Sequence, residues 1–406
     1  MEDEELRRSP PAWEKVDPTP ADNDSRDLLL ALAHRLSDMD NERLHRLVGK
    51  VRDWNSLLKL ADDQRMLPML FLRLSEAPAA VPPIVLERLR TEYHRNVVHG
   101  LANAAELINI LNAFEREAIP AMPFKGVVLA VSVYHDLTVR PAGDLDLLIR
   151  TQDLTQATAI LLDRGYKLTR PERAEGRPPR PDEYEYHFER AADGMVVELC
   201  WRLDFTQRRF RRILSLDWVW PQRRTTTLAG AQVPDMSPEI KLLMLCMHGS
   251  KHVWLRLIWI CDIAHLLASS PELDWTVVDR EANRSGLWRP LALGVLLGHR
   301  IAGAPVPASV LRRFESDTVA CDLAQHFQNH LLEGSVTSPA GWLPFTVQLL
   351  GFRDRIRLLA SGEIFRPNEK DRAVFPLPNL LYPVYYLIRP FRLLWDKLLR
   401  GGPPSC

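Results

Sequence analysis

Long apolar runs are missing from this chain. Nowhere in its 406 residues do about 20 uninterrupted apolar residues occur, so no transmembrane helix is expected. The opening MEDEELRRSP is acidic and lacks an apolar core, so no secretory signal is expected either. Cysteine is scarce: Cys200, Cys246, Cys261, Cys321 and Cys406 are scattered, odd in number and form no CxxC. That pattern suits reduced thiols in a cytoplasmic protein rather than a disulfide framework. Net charge is absent, with 52 Lys+Arg against 52 Asp+Glu. A balanced chain is not a generally basic nucleic-acid binder, so long nucleic acid is not an expected partner, although a local basic groove stays compatible. No fixed-period repeat is found. What remains is an ordinary globular composition, 46% hydrophobic and 26% charged, with length enough for two or three structural units.

The texture changes along the chain. Residues 1–24 are polar and rich in Pro and Asp, the signature of a disordered N-terminus. From 25 to 117, apolar residues recur at three- and four-residue spacing, as in SRDLLLALAHRL, with Pro82-Pro83 as a break between helices. A different pattern occupies 118–235. AIPAMPF reads as a short strand, VVLAVSVYHD as a short helix and DLDLLI as a strand, and LTQATAILLDRGYKL as helix, turn and strand. The stretch 170–183 is charged and Pro-rich, an expected exposed loop. YEYHFERAADGMVVELCW then alternates around Asp193-Gly194, which predicts a β-hairpin. Helical texture returns over 236–370, where Ser237-Pro238-Glu239 is a helix start. The tail 371–406 is apolar, aromatic and basic. Its segment 377–400 either packs back on the helices or lies on a membrane surface as an amphipathic segment.

Two aspartates interrupt the apolar run of DLDLLI. In a strand, i and i+2 share a face, so Asp144 and Asp146 converge, roughly 6.5–7 Å apart along the chain. Two carboxylates so placed are kept ionised by a divalent cation between them. Magnesium suits the task, since it takes one or two carboxylates plus substrate phosphates; two ions, with Mn2+ as a substitute, could activate an attacking hydroxyl and stabilise a leaving oxygen. Glu198, in the apolar strand MVVELCW, is the candidate third acid, sharing a face with Val196 and Cys200. The bland alternative is an edge strand with its acids in water, against which stands the run Leu145, Leu147, Leu148, Ile149.

Lys125-Gly126 lies where a short strand meets a helix, and backbone N–H groups there suit phosphate. Lys125 would add a point charge. Arg140 either steadies the aspartates or a phosphate, or forms a surface salt bridge. His248 and His252 share a helix face near Lys251; a pocket wall facing nucleotide or acceptor, a structural role and, least favoured, zinc all fit. Tyr134, His135 and Asp136 suit a structural helix end. Trp254, Trp259, Trp275 and Trp288 suit a core, with Trp254 able alternatively to stack a base.

The layout strand–KG–helix–RxxxDxD–strand, followed by VEL, resembles the DNA polymerase beta-like nucleotidyltransferase superfamily. More closely, FKGVVLA…YHDLTVRPAGDLDLLI with VELCW, HGSKHVWLRLIWICDIAHLL and DW…GLWRPLALGVLLG is similar to the bacterial uncharacterised nucleotidyltransferase family, over about residues 25–310. The histidine usual after the third acid is Cys200 here. The resemblance implies an α+β fold, a small mixed β-sheet nucleotidyltransferase core flanked by N-terminal helices and a C-terminal helical bundle. It implies transfer of a nucleoside monophosphate from a nucleoside triphosphate such as ATP to a hydroxyl or phosphate, with release of pyrophosphate. The acceptor, whether small molecule, lipid-linked glycan precursor, peptide or protein, is not implied. Asp144, Asp146 and Glu198 would be both metal ligands and the catalytic set. Lys125 and Gly126 would hold the outer phosphates, and Arg140, His248, Lys251 and His252 would face the nucleotide. The alternative is a non-catalytic nucleotide-sensing or protein-binding module on the same fold.

Overall fold

A computed structural model of the chain describes residues 23–34, 41–169, 183–204 and 213–332, together with 345, 348, 349, 384, 385, 388 and 389. Of the expected disordered segment 1–24, residues 1–22 lie outside the described residues while Asn23 and Asp24 open a helix; nearly all of the expected loop at 170–183 and most of the tail also lie outside them. No helix among the described residues is long and apolar enough to cross a membrane.

The N-terminal helices are α1 (Asn23–Ala33), α2 (Asn41–Val48), α3 (Trp54–Asp63), α4 (Leu67–Leu74) and the long α5 (Pro83–Arg116). α5 begins directly after Pro82, with proline at its first position, where no N–H is needed. Other starts are written as aspartates. Asp53 accepts the backbone N–H groups of Asn55 and Ser56, which satisfies donors the helix itself cannot.

A five-stranded mixed sheet follows, in the order β1-β2-β5-β4-β3. Its strands are β1 (Ala121–Pro123), β2 (Asp144–Ile149), β3 (Lys167–Leu168), β4 (Glu185–Arg190) and β5 (Met195–Cys200). Helix α6 (Gly126–Tyr134) separates β1 from β2, and α7 (Leu154–Asp163) separates β2 from β3. β2 and β5 are parallel; the other pairings are antiparallel. The β4–β5 hairpin turns at Asp193-Gly194, where Gly194 takes a positive φ. One face of the sheet is continuous core: Leu145, Leu147, Ile149, Val197, Leu199, Tyr186 and Phe188 pack with Leu107, Ile110 and Phe114 of α5 and Leu161 of α7. The strand period of two therefore turns Asp144, Asp146 and Glu198 to the opposite face.

Beyond the sheet come β6 (Leu203–Asp204), β7 (Ile213–Leu214), the single turn α8 (Leu216–Val219) and a hairpin of β8 (Arg224–Leu228) and β9 (Ala231–Asp235). The C-terminal bundle comprises α9 (Pro238–Lys251), α10 (Leu257–Ser269), α11 (Trp275–Ser285), α12 (Trp288–Ala302), α13 (Ala308–Glu315) and α14 (Thr318–His330). α9 starts as its sequence predicts, with the Ser237 hydroxyl accepting from Ile240 and Pro238 in the first turn. The bundle core is one cluster with α1–α4, so the first and last thirds of the described chain share a hydrophobic interior.

The end of α9 is tightly packed. Val253 and Trp254 both take positive φ, and the Trp254 N–H returns to the Gly249 carbonyl at 2.8 Å. This places the Trp254 ring, fully buried, against Gly249 and Gly294. The ring is thus core, and no nucleotide base reaches it. A Cβ on Gly249 would lie 2.4 Å from the ring. Gly249→Ala is expected to lower stability by about 1–3 kcal/mol, the usual penalty of overpacking, in urea unfolding followed by tryptophan fluorescence.

Candidate metal and nucleotide site

The parallel register of β2 and β5 sets Asp146 opposite Glu198 and Asp144 opposite Val196. Neighbouring strands stand about 4.8 Å apart, so the third acid arrives beside the first two. Ligand oxygens of Asp144, Asp146 and Glu198 all lie within 4.8 Å of one another. Asp146 is 3% exposed, whereas Asp144 and Glu198 are half-buried. Burial pushes the Asp146 carboxyl up to about 7; Lys125 pulls against it, while the charges of Asp144 and Glu198 add to the rise. A positive ion among the three would reverse the influence of the two like charges.

Lys125 sits at the bend between β1 and α6, and its Nζ donates to Asp146 Oδ1 at 2.9 Å. Burial works to lower the ammonium's pKa, but the charge and hydrogen bond of Asp146 outweigh it and hold the group above the ordinary lysine value. Gly126 carries φ +57°, and a Cβ there would stand 3.0 Å from the Asp144 carbonyl. Both its backbone angle and its closeness to β2 require glycine. The N-terminus of α6 is thereby set against the acid-bearing strand.

Two groups on β4 complete the acidic face. His187 pairs in register with Glu198 and Glu185 with Cys200. His187 Nδ1 lies 3.1 Å from Glu198 Oε1 and Nε2 lies 3.2 Å from Glu185 Oε1. Hydrogen bonds to Glu185 and then Glu198 raise the imidazole to about 10, which favours the protonated ring between the two carboxylates. Burial would raise Glu198, but His187's hydrogen bond and charge bring it down to about 2. Neither Glu185 nor His187 is among the residues singled out from sequence. Counting back from the Asp193-Gly194 turn, which pairs Arg190 with Met195, would have placed His187 against Glu198.

A narrow cleft of about 40 Å³ adjoins the acids, between the sheet and α9. Lys125, Arg202, His248 and Lys251 line it over an apolar floor that includes Met244 and Met247. Lys251 Nζ reaches the Tyr184 hydroxyl at 3.2 Å and lies over its ring. Cys200 also faces the cleft, buried, with its thiol raised by burial first and by Glu185 next. His252, next along α9, stacks on His248 with ring centroids 4.6 Å apart, and Trp259 packs against both. Burial, then the charge of Lys251, lowers His252 to about 4. Among the described residues no group of three metal-ligating side chains includes either histidine.

Arg140 is not at the surface. Its Nε and Nη2 donate to Asp262 Oδ1 and Oδ2 at 2.7 and 2.9 Å, and Asp262 on α10 is fully buried. Tyr134, in the last turn of α6, donates to the same Oδ1 at 2.7 Å. One carboxylate thus ties α10 to the far end of α6 and to the segment entering β2. The surface salt bridge considered from sequence is replaced by a buried, bidentate one.

The mixed sheet, the bend at Gly126 and the three acids in parallel register define a nucleotidyltransferase-type core. The sequence profile of the uncharacterised nucleotidyltransferase family matches residues 50–303, more than half of the chain, and the protein belongs to that family. No curated protein matches it. Among solved structures it is similar to the lincosamide antibiotic adenylyltransferase LnuA in its lincomycin-bound form, at 17% identity over 40% of this chain and 94% of that one, with a TM-score of 0.28. It is also similar to an antigenic nucleotidyltransferase-like protein from Paracoccidioides brasiliensis, at 17% identity over 51% of this chain and 95% of that one, with a TM-score of 0.30.

Two outcomes follow from these contacts. Asp262→Ala strands the Arg140 guanidinium in the interior and should cost about 3–5 kcal/mol, read from the urea midpoint. The depressed His252 pKa means that folding favours the neutral ring, so its contribution is present above about 6.5 and is lost as pH falls toward about 4. Over that window the wild type should lose more stability than His252→Gln, measured by thermal melts at pH 4.5, 5.5 and 7.

Proposed function

We propose that the protein is a divalent-metal-dependent nucleotidyltransferase. It moves a nucleoside monophosphate from a nucleoside triphosphate to a hydroxyl or phosphate oxygen of an acceptor and releases pyrophosphate. The convergence of Asp144, Asp146 and Glu198 within 4.8 Å of one another carries this reading. The donor set fits Mg2+, two ions or Mn2+ in its place: three carboxylates bring hard oxygen donors together. Bound there, the ions supply charge neutralisation and activation of the acceptor oxygen.

The chain's own residues do the rest. Asp144 and Asp146 would hold the metal from one strand, and Glu198 would complete the set from the next. His187 fixes Glu198 in its ionised form by donating to Oε1. Lys125 and the α6 N-terminus at Gly126 face the outer phosphates, where a point charge and free N–H groups stabilise developing negative charge. His248 and Lys251 form the cleft wall on the nucleotide side, with His252 packed behind His248. Arg140 acts at one remove, by holding the segment that enters β2. As the acceptor oxygen bonds to the α-phosphorus, the bond to the departing diphosphate breaks and the acceptor's proton passes to solvent. The acceptor belongs to one of the classes the family resemblance leaves open: small molecule, glycan precursor, peptide or protein.

Ligand binding restricted to the folded state raises the melting temperature. At least one nucleoside triphosphate should therefore raise it in the presence of Mg2+, and not in EDTA. Asp146→Asn should retain the fold but lose that shift, and with a cognate acceptor should lower turnover by at least about a hundredfold, the scale of losing one electrostatic stabiliser. A wild-type chain that shows no Mg2+-dependent stabilisation by any of the four nucleotides would overturn the reading.

A further inference from the structure

A second cavity, of about 470 Å³, lies away from the acids. It is an open pocket lined by the C-terminal half of α6, the β8–β9 hairpin, the start of α9 and the end of α10, and it shares no residue with the cleft described above. Its volume falls in the range of small-molecule pockets. Along α6, Ser132 is six residues beyond Gly126, about 9 Å by helical rise.

The chemistry of the wall is specific. Lys241, 5% exposed, reaches the cavity from the first turns of α9. Its ammonium donates to Asp235 Oδ2 at 2.5 Å and to Ser132 Oγ at 2.8 Å. An ammonium has three N–H donors, so one is left without an acceptor among the described residues. The Ser132 hydroxyl accepts from Lys241 and can donate its own hydrogen. Asp235 is spent: its second oxygen accepts the Met236 N–H. The exposed Arg224 also lines the cavity and makes no ion pair among the described residues, and Thr226 on the same strand adds a hydroxyl. Glu272, which also lines the cavity, is exposed to solvent, which weakens its field. Burial lowers the Lys241 pKa, and Arg224 lowers it further, against the pull of Asp235. An anion in the cavity would reverse the effect of Arg224.

We propose that this cavity is a second ligand site, taking the oxyanion group of a small metabolite, a carboxylate or a phosphate, between Lys241, Ser132 and Arg224. The unusual feature is a nearly buried ammonium that lines a cavity together with Arg224, an arginine that makes no ion pair among the described residues. An oxyanion supplies acceptors for Lys241 and Ser132 and a planar or tetrahedral face for the Arg224 fork.

Isothermal titration of the full chain with sodium phosphate and, separately, with sodium acetate, at ionic strength held constant with sodium chloride, tests this. Saturable binding of at least one anion is expected. Arg224→Ala and Ser132→Ala should each weaken it about tenfold, the scale of losing one charge-assisted hydrogen bond. Both variants leave the Lys241–Asp235 pair intact. Asp146→Asn should bind as the wild type does, which separates this site from the catalytic cleft. Phosphate binding alone narrows the ligand to phosphate esters, and binding of both extends it to carboxylates. The proposal is overturned if neither anion binds saturably, if both substitutions leave Kd unchanged, or if Asp146→Asn abolishes binding.

Discussion

Three carboxylates on one face of a small sheet repel one another, and much of the surrounding structure answers that repulsion. Burial pushes Asp146 up to about 7, a position that exposed aspartate never needs. Lys125 and His187 bring positive charge from the two flanks, one from the bend after β1 and one from β4. Gly126 allows that bend to lie so close to β2 that a Cβ there would stand 3.0 Å from the Asp144 carbonyl. The acids themselves are exposed to each other only because β2 and β5 run parallel, in a register that sets Asp146 beside Glu198. A sheet slipped by one residue would turn them into the core formed by Leu145 and Leu147.

The helical bundle is bound to this arrangement through a second charge. Asp262 is fully buried and accepts from both Arg140 and Tyr134. Arg140 lies four residues before Asp144, and Tyr134 ends the helix that Gly126 begins. The carboxylate on α10 therefore positions the helix and the segment that flank the acidic cluster relative to α9, which carries His248 and Lys251. A buried ion pair contributes little net stability, so its physical effect here is positional. The same α6 reaches the Lys241–Asp235 pair at its far end, where Ser132 meets α9. One short helix thus contacts the acid-bearing strand, the bundle and the second cavity.

Much of this was visible in residue order. The strand period displayed Asp144 and Asp146 together, and the apolar setting of Glu198 marked it as out of place. Helix starts at Pro83 and Ser237, and the hairpin at Asp193-Gly194, depend on local backbone chemistry and were accordingly readable. Family membership was readable too, because the motifs that carry it are contiguous. The partner of Arg140 was not, because it lies 122 residues away. The burial of Trp254 was expected, but not how it is reached, through two successive left-handed residues and two glycines from different helices. His187 stood between: hairpin register alone would have located it, but its two carboxylate partners become evident only when side chains are placed.

The sequence by itself determined the acids, the Lys-Gly bend, the alternation of helix and strand and the family, because each depends on residue type and short spacing. Tertiary structure decided which charges meet. It gave Lys125 to Asp146, His187 to Glu198, Arg140 to Asp262 and Lys241 to Asp235 and Ser132. Those pairings are settled by strand register and helix packing, whose contacts join residues far apart in the chain and leave no local pattern.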